Sequence, residues 1–165
     1  MTTSTTSAND VYKNLAELNI TLPPISVPAA AYVPYVQTGN LIFLSGNIAR
    51  RDGQAWVGQL GKNISLEVGK AAARVVAIGL LGTLHAAMEA RGKTLNDVTR
   101  IVKVMSLVNS TAEFTDQHLV TNGASELMAQ VFGPTIGAHA RSAFGVAQIP
   151  IGACVEIEMI AEINA

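Results

Sequence analysis

Arg141 opens a run of small and β-branched residues, Ala140-Arg141-Ser142-Ala143-Phe144-Gly145-Val146-Ala147. A guanidinium carries a fixed charge and a planar fork that binds a carboxylate bidentately. On a strand it shares a face with Ala143, Gly145 and Ala147, and such small neighbours leave room for a ligand. It can equally pair with the carboxylates that follow, Glu156, Glu158 or Glu162, which share one strand parity with Ile160 among them. Those glutamates read either as a solvated strand face or as a carboxylate at a pocket mouth, a general base or an orienter of water. Ser45-Gly46-Asn47 offers a hydroxyl beside closely approachable backbone, or is an ordinary strand exit. Asn122-Gly123 places two poor helix formers inside a helical pattern, which suggests a packing contact or a ligand contact.

Other reactive side chains are scattered. His85, His118 and His139 have no metal-ligand spacing with one another or with the lone Cys154. His85 and His118 read as helix-face residues, and Cys154 as a buried small hydrophobe. Gly58-Gln59-Leu60-Gly61 satisfies neither a phosphate loop nor a dinucleotide fingerprint, and no GxSxG elbow occurs. Lys and Arg number 11 against 12 Asp and Glu, without a basic run, so the electrostatic footprint of a nucleic-acid binder is missing.

Elements must position these residues. A chain of 165 residues is long enough for one domain with a proper core. Charged residues make up only 14%, and the apolar mass is aliphatic, with 5% aromatics. This composition suits helices packed closely on a sheet, and the mean hydropathy of +0.33 points to surfaces buried between subunits. The polar start, Met1-Thr2-Thr3-Ser4-Thr5-Thr6-Ser7, lacks the basic and apolar regions of a signal peptide. The apolar run 75–84 is too short to span a bilayer. A soluble, cytoplasmic protein is expected.

Periodicity predicts a helix over 9–18, an extended Pro-rich connector over 21–30, and a hairpin of 32–37 with 41–45 around Thr38-Gly39-Asn40. A turn at Arg50-Arg51-Asp52-Gly53 and a short strand near Ala55-Trp56-Val57 follow. Ser65 caps a long helix that reaches about residue 91 before Gly92. A buried strand occupies 98–108. Ser110-Thr111-Ala112-Glu113 has capping-box spacing for a second helix that Gly133-Pro134 stops. A closing hairpin, turning at Pro150-Ile151-Gly152, completes the chain. The expected class is α+β, one mixed sheet with two helices on one face. Residues 1–30 form a tail, short helix and connector ahead of a single domain, 31–165.

Four segments in order carry a family resemblance: Thr38-Gly39-Asn40-Leu41-Ile42-Phe43-Leu44-Ser45-Gly46-Asn47, Ala140-Arg141-Ser142, Ile149-Pro150-Ile151-Gly152 and Val155-Glu156-Ile157-Glu158. Over residues 30–164 the chain resembles the reactive-intermediate (imine/enamine) deaminase superfamily, the YjgF-like or Rid proteins also labelled L-PSP endoribonucleases. The N-terminal helix, with Phe114-Thr115-Asp116-Gln117 and Thr121-Asn122-Gly123-Ala124-Ser125, marks a divergent subgroup.

The resemblance implies a chorismate-mutase-like fold, a homotrimer with ligand clefts between neighbouring subunits, and no metal or cofactor. By the same resemblance, Arg141 clamps a substrate carboxylate, Glu156 orients water, and Ser45 and Gly46 line the cleft. Asn122 reaches across the interface. Tyr32 sits at the cleft mouth when the chain is counted back without gaps, with Tyr35 the competitor if a gap exists. Ala143 stands where deaminase members commonly have cysteine, which enlarges the cleft. The implied reaction is hydrolysis of a small 2-imino acid to a 2-oxo acid and ammonia. The alternatives are a carboxylate-binding trimer without turnover, and an endoribonuclease, against which the charge balance argues.

Overall fold

A computed structural model describes residues 10–25 and 30–165. The expected tail, and the middle of the connector, lie outside the described residues. The first helix forms as α1 (Val11–Glu17), capped by the Asp10 carboxylate, which accepts from the Tyr12 and Lys13 N–H groups. Val11 and Leu15 are its buried residues. Asn14 Nδ2 donates to the Val131 carbonyl at 2.8 Å, and the Leu95 N–H donates to the Tyr12 hydroxyl at 3.1 Å.

The remaining elements are β1 (Tyr35–Thr38), β2 (Leu41–Ile48), a short ribbon of β3 (Arg50–Arg51) and β4 (Gln54–Ala55), α2 (Leu66–Glu89), β5 (Val98–Asn109), α3 (Gln117–Ile136), β6 (Ala140–Val146) and β7 (Val155–Ile163). The main sheet runs β1-β2-β7-β5-β6. Only β5 and β6 pair in parallel, and the long connection that a parallel pair requires is α3. Both long helices pack on one face of this mixed sheet, the α+β architecture expected from the sequence. By length and composition α2 could cross a bilayer, yet most of it is buried against the sheet and α3.

Several boundaries differ from expectation. The closing strands do not form a hairpin: β6 and β7 lie on opposite sides of β5. Residues 147–154 are longer than a tight hairpin loop. They carry the chain past β5 through a 3₁₀ turn at Pro150–Gly152, with Ile151 in the left-handed region at φ 53°. The helix expected from Ser110 starts only at Gln117, because the Thr111 N–H is already bonded to the Leu60 carbonyl and Ser110 bridges Leu60. β1 starts at Tyr35 rather than at residue 32; the Ser45 N–H bonds the Pro34 carbonyl where the strand begins. Ala55 pairs with Arg50, whereas Val57 makes an isolated bridge to Ala153.

Other local signals are realised where expected. Ser65 Oγ accepts the Val68 N–H at the start of α2. Gly133, at φ 79°, breaks α3 ahead of Pro134. Gly123 permits the closest approach in the helix layer, since a Cβ there would strike the Lys70 carbonyl of α2.

Register fixes which face each strand residue occupies. Arg141, Val104 and Met159 form one row across β6, β5 and β7, and Val104 and Met159 are buried beneath the helices. Phe144, Leu107 and Glu156 form another row three residues along, hence on the opposite, open face. Val36, Phe43 and Ile160 lie in a further open-face row. Val36, Phe43 and Phe144 are exposed apolar side chains.

Candidate functional site

The residues singled out in the sequence fall into two groups. The first surrounds Arg141 on edge strand β6. Its Nη1 donates to Asn122 Oδ1 at 2.8 Å and Ser125 Oγ at 3.1 Å, and its Nη2 donates to the His118 carbonyl at 3.1 Å. All three acceptors belong to α3. A guanidinium has five N–H donors, so the Nε–H and the second Nη2–H stay without a partner among the described residues. Those two hydrogens remain available to an incoming acceptor such as a carboxylate. No carboxylate pairs with Arg141 among the described residues, so the surface ion pair with Glu156, Glu158 or Glu162 does not form.

In the Asn122-Gly123 dipeptide Gly123 packs on α2, as the packing reading expects, while Asn122 accepts from Arg141. Ala143 follows Arg141 on the same face and is half-buried. Ser106, its register partner on β5, is fully buried with a hydroxyl that lacks a hydrogen-bond partner.

The second group lies around Glu156. Between Leu44 and Asn47 the β2–β7 register slips, so Ser45 and Gly46 form a β-bulge. A Cβ on Gly46 would collide with Glu156 Oε1; glycine is what lets the carboxylate lie against β2. Ser45 Oγ donates to the Val33 carbonyl at 2.6 Å and ties the bulge to the segment before β1. Tyr32, 51% exposed, belongs to that segment. Tyr35 instead lies in the row of Leu44 and Met159 on the helix face, its ring beneath the Arg91 guanidinium. Tyr35 pairs with Leu44 at the edge of the bulge, and Tyr32 precedes the Val33 carbonyl that Ser45 holds. Glu162 accepts from Thr99 Oγ1 at 3.1 Å, and Glu158 is exposed.

Burial, and after it the charge of Glu158, raises the Glu156 pKa. The sign follows: with the folded pKa above the unfolded one, charging Glu156 penalises the folded state as pH rises through and above the usual carboxylate range. Glu156→Gln is therefore expected to melt a few degrees above wild type near pH 7, and at the same temperature near pH 3.5, where both states hold a neutral side chain. Calorimetry at the two pH values checks this.

Cys154 is fully buried, and burial raises its thiol pKa to about 11, which suits the inert hydrophobe expected. His85 Nδ1 meets the Tyr12 hydroxyl at 3.1 Å, so this helix-face histidine helps to dock α1. Sequence reasoning missed Ser125 and His139, which stand beside Arg141: Ser125 Oγ lies 2.9 Å from His139 Nε2. The available signal was spacing, since His139 stands two residues before Arg141, just ahead of β6.

Arg141 and Glu156 thus project from opposite faces of one sheet. A single chain presents two separate clusters: Arg141 with Asn122 and Ala143 on one face, and Glu156 against the Ser45–Gly46 bulge on the other.

The profile of a family described as endoribonuclease L-PSP matches residues 24–163. Protein TCP17 of Trypanosoma cruzi is 41% identical over 162 residues, covering 98% of this chain and 99% of its own. The crystal structure of Atu1372 from Agrobacterium tumefaciens, a protein of unknown function, superposes with a TM-score of 0.83 at 37% identity, covering 95% of each chain. A candidate endoribonuclease from Shewanella oneidensis MR-1 shares the fold, with a TM-score of 0.87 at 23% identity over 94% of this chain and all of its own.

Proposed function

Because the chain belongs to the endoribonuclease L-PSP family, we propose that it assembles as a homotrimer whose inter-subunit clefts hydrolyse small 2-imino carboxylic acids to 2-oxo acids and ammonia. The observation that carries the proposal is Arg141: a guanidinium locked to α3 by three oxygen acceptors, without a carboxylate partner among the described residues, and with its Nε–H and one Nη2–H left over. A half-buried cation in this state is suited to bind an anion.

Two copies are needed because one chain keeps Arg141 and Glu156 on opposite faces. The open face with Val36, Phe43 and Phe144 is the kind of apolar surface that subunits cover. β6 is an edge strand, so Arg141 stands at the rim where a neighbour's Glu156 can approach.

In the proposed reaction the substrate carboxylate docks on the Nε–H and remaining Nη2–H of Arg141. Glu156 from the neighbouring subunit accepts a proton from water as the oxygen adds to the imine carbon. The imine nitrogen takes that proton from Glu156; the carboxylate then accepts the carbinolamine hydroxyl proton and passes it to the nitrogen as the C–N bond breaks, which releases ammonia and leaves the carbonyl of a 2-oxo acid. An enamine enters by tautomerising to the imine. A carboxyl whose pKa is raised shuttles protons more evenly near neutral pH than an ordinary one. Imines also hydrolyse in water, so holding the reactants together supplies much of what is required. The endoribonuclease reading is less well supported: 11 cationic residues against 12 anionic ones leave little to bind a phosphate backbone.

The test uses 2-iminopropanoate and 2-iminobutanoate generated by an amino-acid oxidase, with ammonia release followed over time. Wild-type protein is expected to accelerate release at catalytic concentrations. No acceleration across several imines would overturn the proposal in favour of a carboxylate-binding trimer.

A further inference from the structure

His139 and Ser125 complete the frame around Arg141, and the hydrogen bonds that join them have a fixed direction. His139 Nδ1 lies 2.7 Å from the Gly137 carbonyl, which can only accept, so Nδ1 carries a hydrogen. Burial is the main effect that lowers the His139 pKa; the Gly137 bond opposes it and the Arg141 charge adds to it. A neutral imidazole protonated at Nδ1 has its lone pair on Nε2. The Ser125 hydroxyl, 2.9 Å from Nε2, therefore donates to it. The lone pairs of Ser125 Oγ are left to accept Arg141 Nη1–H at 3.1 Å. Together with Asn122 and the His118 carbonyl, this chain commits both hydrogens of Nη1 and one of Nη2.

We propose that Ser125 and His139 are positioning residues of the anion site: they hold the Arg141 guanidinium on α3 so that its Nε–H and remaining Nη2–H are left for a ligand carboxylate. The positioning role deepens the reading of Arg141 as the carboxylate anchor and rests on it.

Isothermal titration of 2-oxobutanoate into the full-length protein tests the proposal. Alanine is the stronger helix former, so Ser125→Ala keeps α3 intact. Wild type is expected to bind 2-oxobutanoate. Ser125→Ala and His139→Ala each weaken 2-oxobutanoate binding about tenfold, and the double variant is no weaker than either, because both act through one chain. Ser125→Thr, which keeps the hydroxyl, restores binding.

Full binding by Ser125→Ala alongside none by Arg141→Ala overturns the positioning role and leaves the anchor standing. Full binding by Arg141→Ala removes the anchor itself. Losses that add in the double variant overturn the single chain.

Discussion

Arg141→Ala and Glu156→Gln proteins, each slowed on the order of a hundredfold or more in imine hydrolysis, regain activity when unfolded together in equal amounts and refolded. About one quarter of the wild-type sites return, because random assembly gives each cleft an intact arginine half the time and an intact glutamate half the time. The expectation follows from register alone. Arg141 shares a row with the buried Val104 and Met159, whereas Glu156 shares one with the exposed Phe144, so no single chain brings the two side chains to one face. The variants refolded separately and then mixed remain inactive until their subunits exchange. A site built within one chain would recover nothing in either protocol, and that result would end the two-subunit reading.

Gly123→Ala is expected to lose about 3 kcal/mol of stability, although alanine is normally the better helix residue. The new methyl group would enter the space of the Lys70 carbonyl, and helix backbone cannot swing aside as a long side chain can. At this chain length such a loss lowers the melting midpoint by roughly 10 °C, which calorimetry resolves. Gly79→Ala is the matched control in α2, where the added Cβ would meet only Asn47 Oδ1 at an ordinary 3.4 Å. It is expected to leave the midpoint unchanged or slightly raised. Because Asn122 precedes Gly123 and bonds Arg141, the displaced α3 of Gly123→Ala should also weaken carboxylate binding, measurable at temperatures where the variant stays folded.

The elements legible in the sequence are those with local causes. Ser65 opens α2, the Thr38-Gly39-Asn40 turn joins β1 to β2, and Gly133 breaks α3 because its φ of 79° is outside the helical range. The misread elements depend on distant partners. Ser110 to Glu113 has the spacing of a capping box, but Leu60 takes the backbone groups that a first helical turn would need. The final two strands look like a hairpin until β5 is inserted between them, and nothing within residues 140–163 announces that insertion.

The site divides the same way. Parity along β6 puts Arg141 with Ala143 on one face, and parity along β7 groups the glutamates. The relation between those two faces is set only by register through β5, which no spacing within either strand contains. Ser125 and His139 were missed for that reason too: a helix and a strand start 14 residues apart had to be folded together before their hydrogen bond existed.

The bulge at Ser45-Gly46 acts as a change of phase in β2. Leu44 and Asn47 are three residues apart, yet they oppose Met159 and Ile157, which alternate normally on β7. One strand thereby feeds the core through Ile42 and Leu44, then clears a seat for Glu156 without ending. The length of β2 is thus as informative as its composition. Removing a single residue at the bulge would restore plain alternation from Leu44 to Asn47 opposite Met159 and Ile157, and would take away the recess that Gly46 leaves for Glu156.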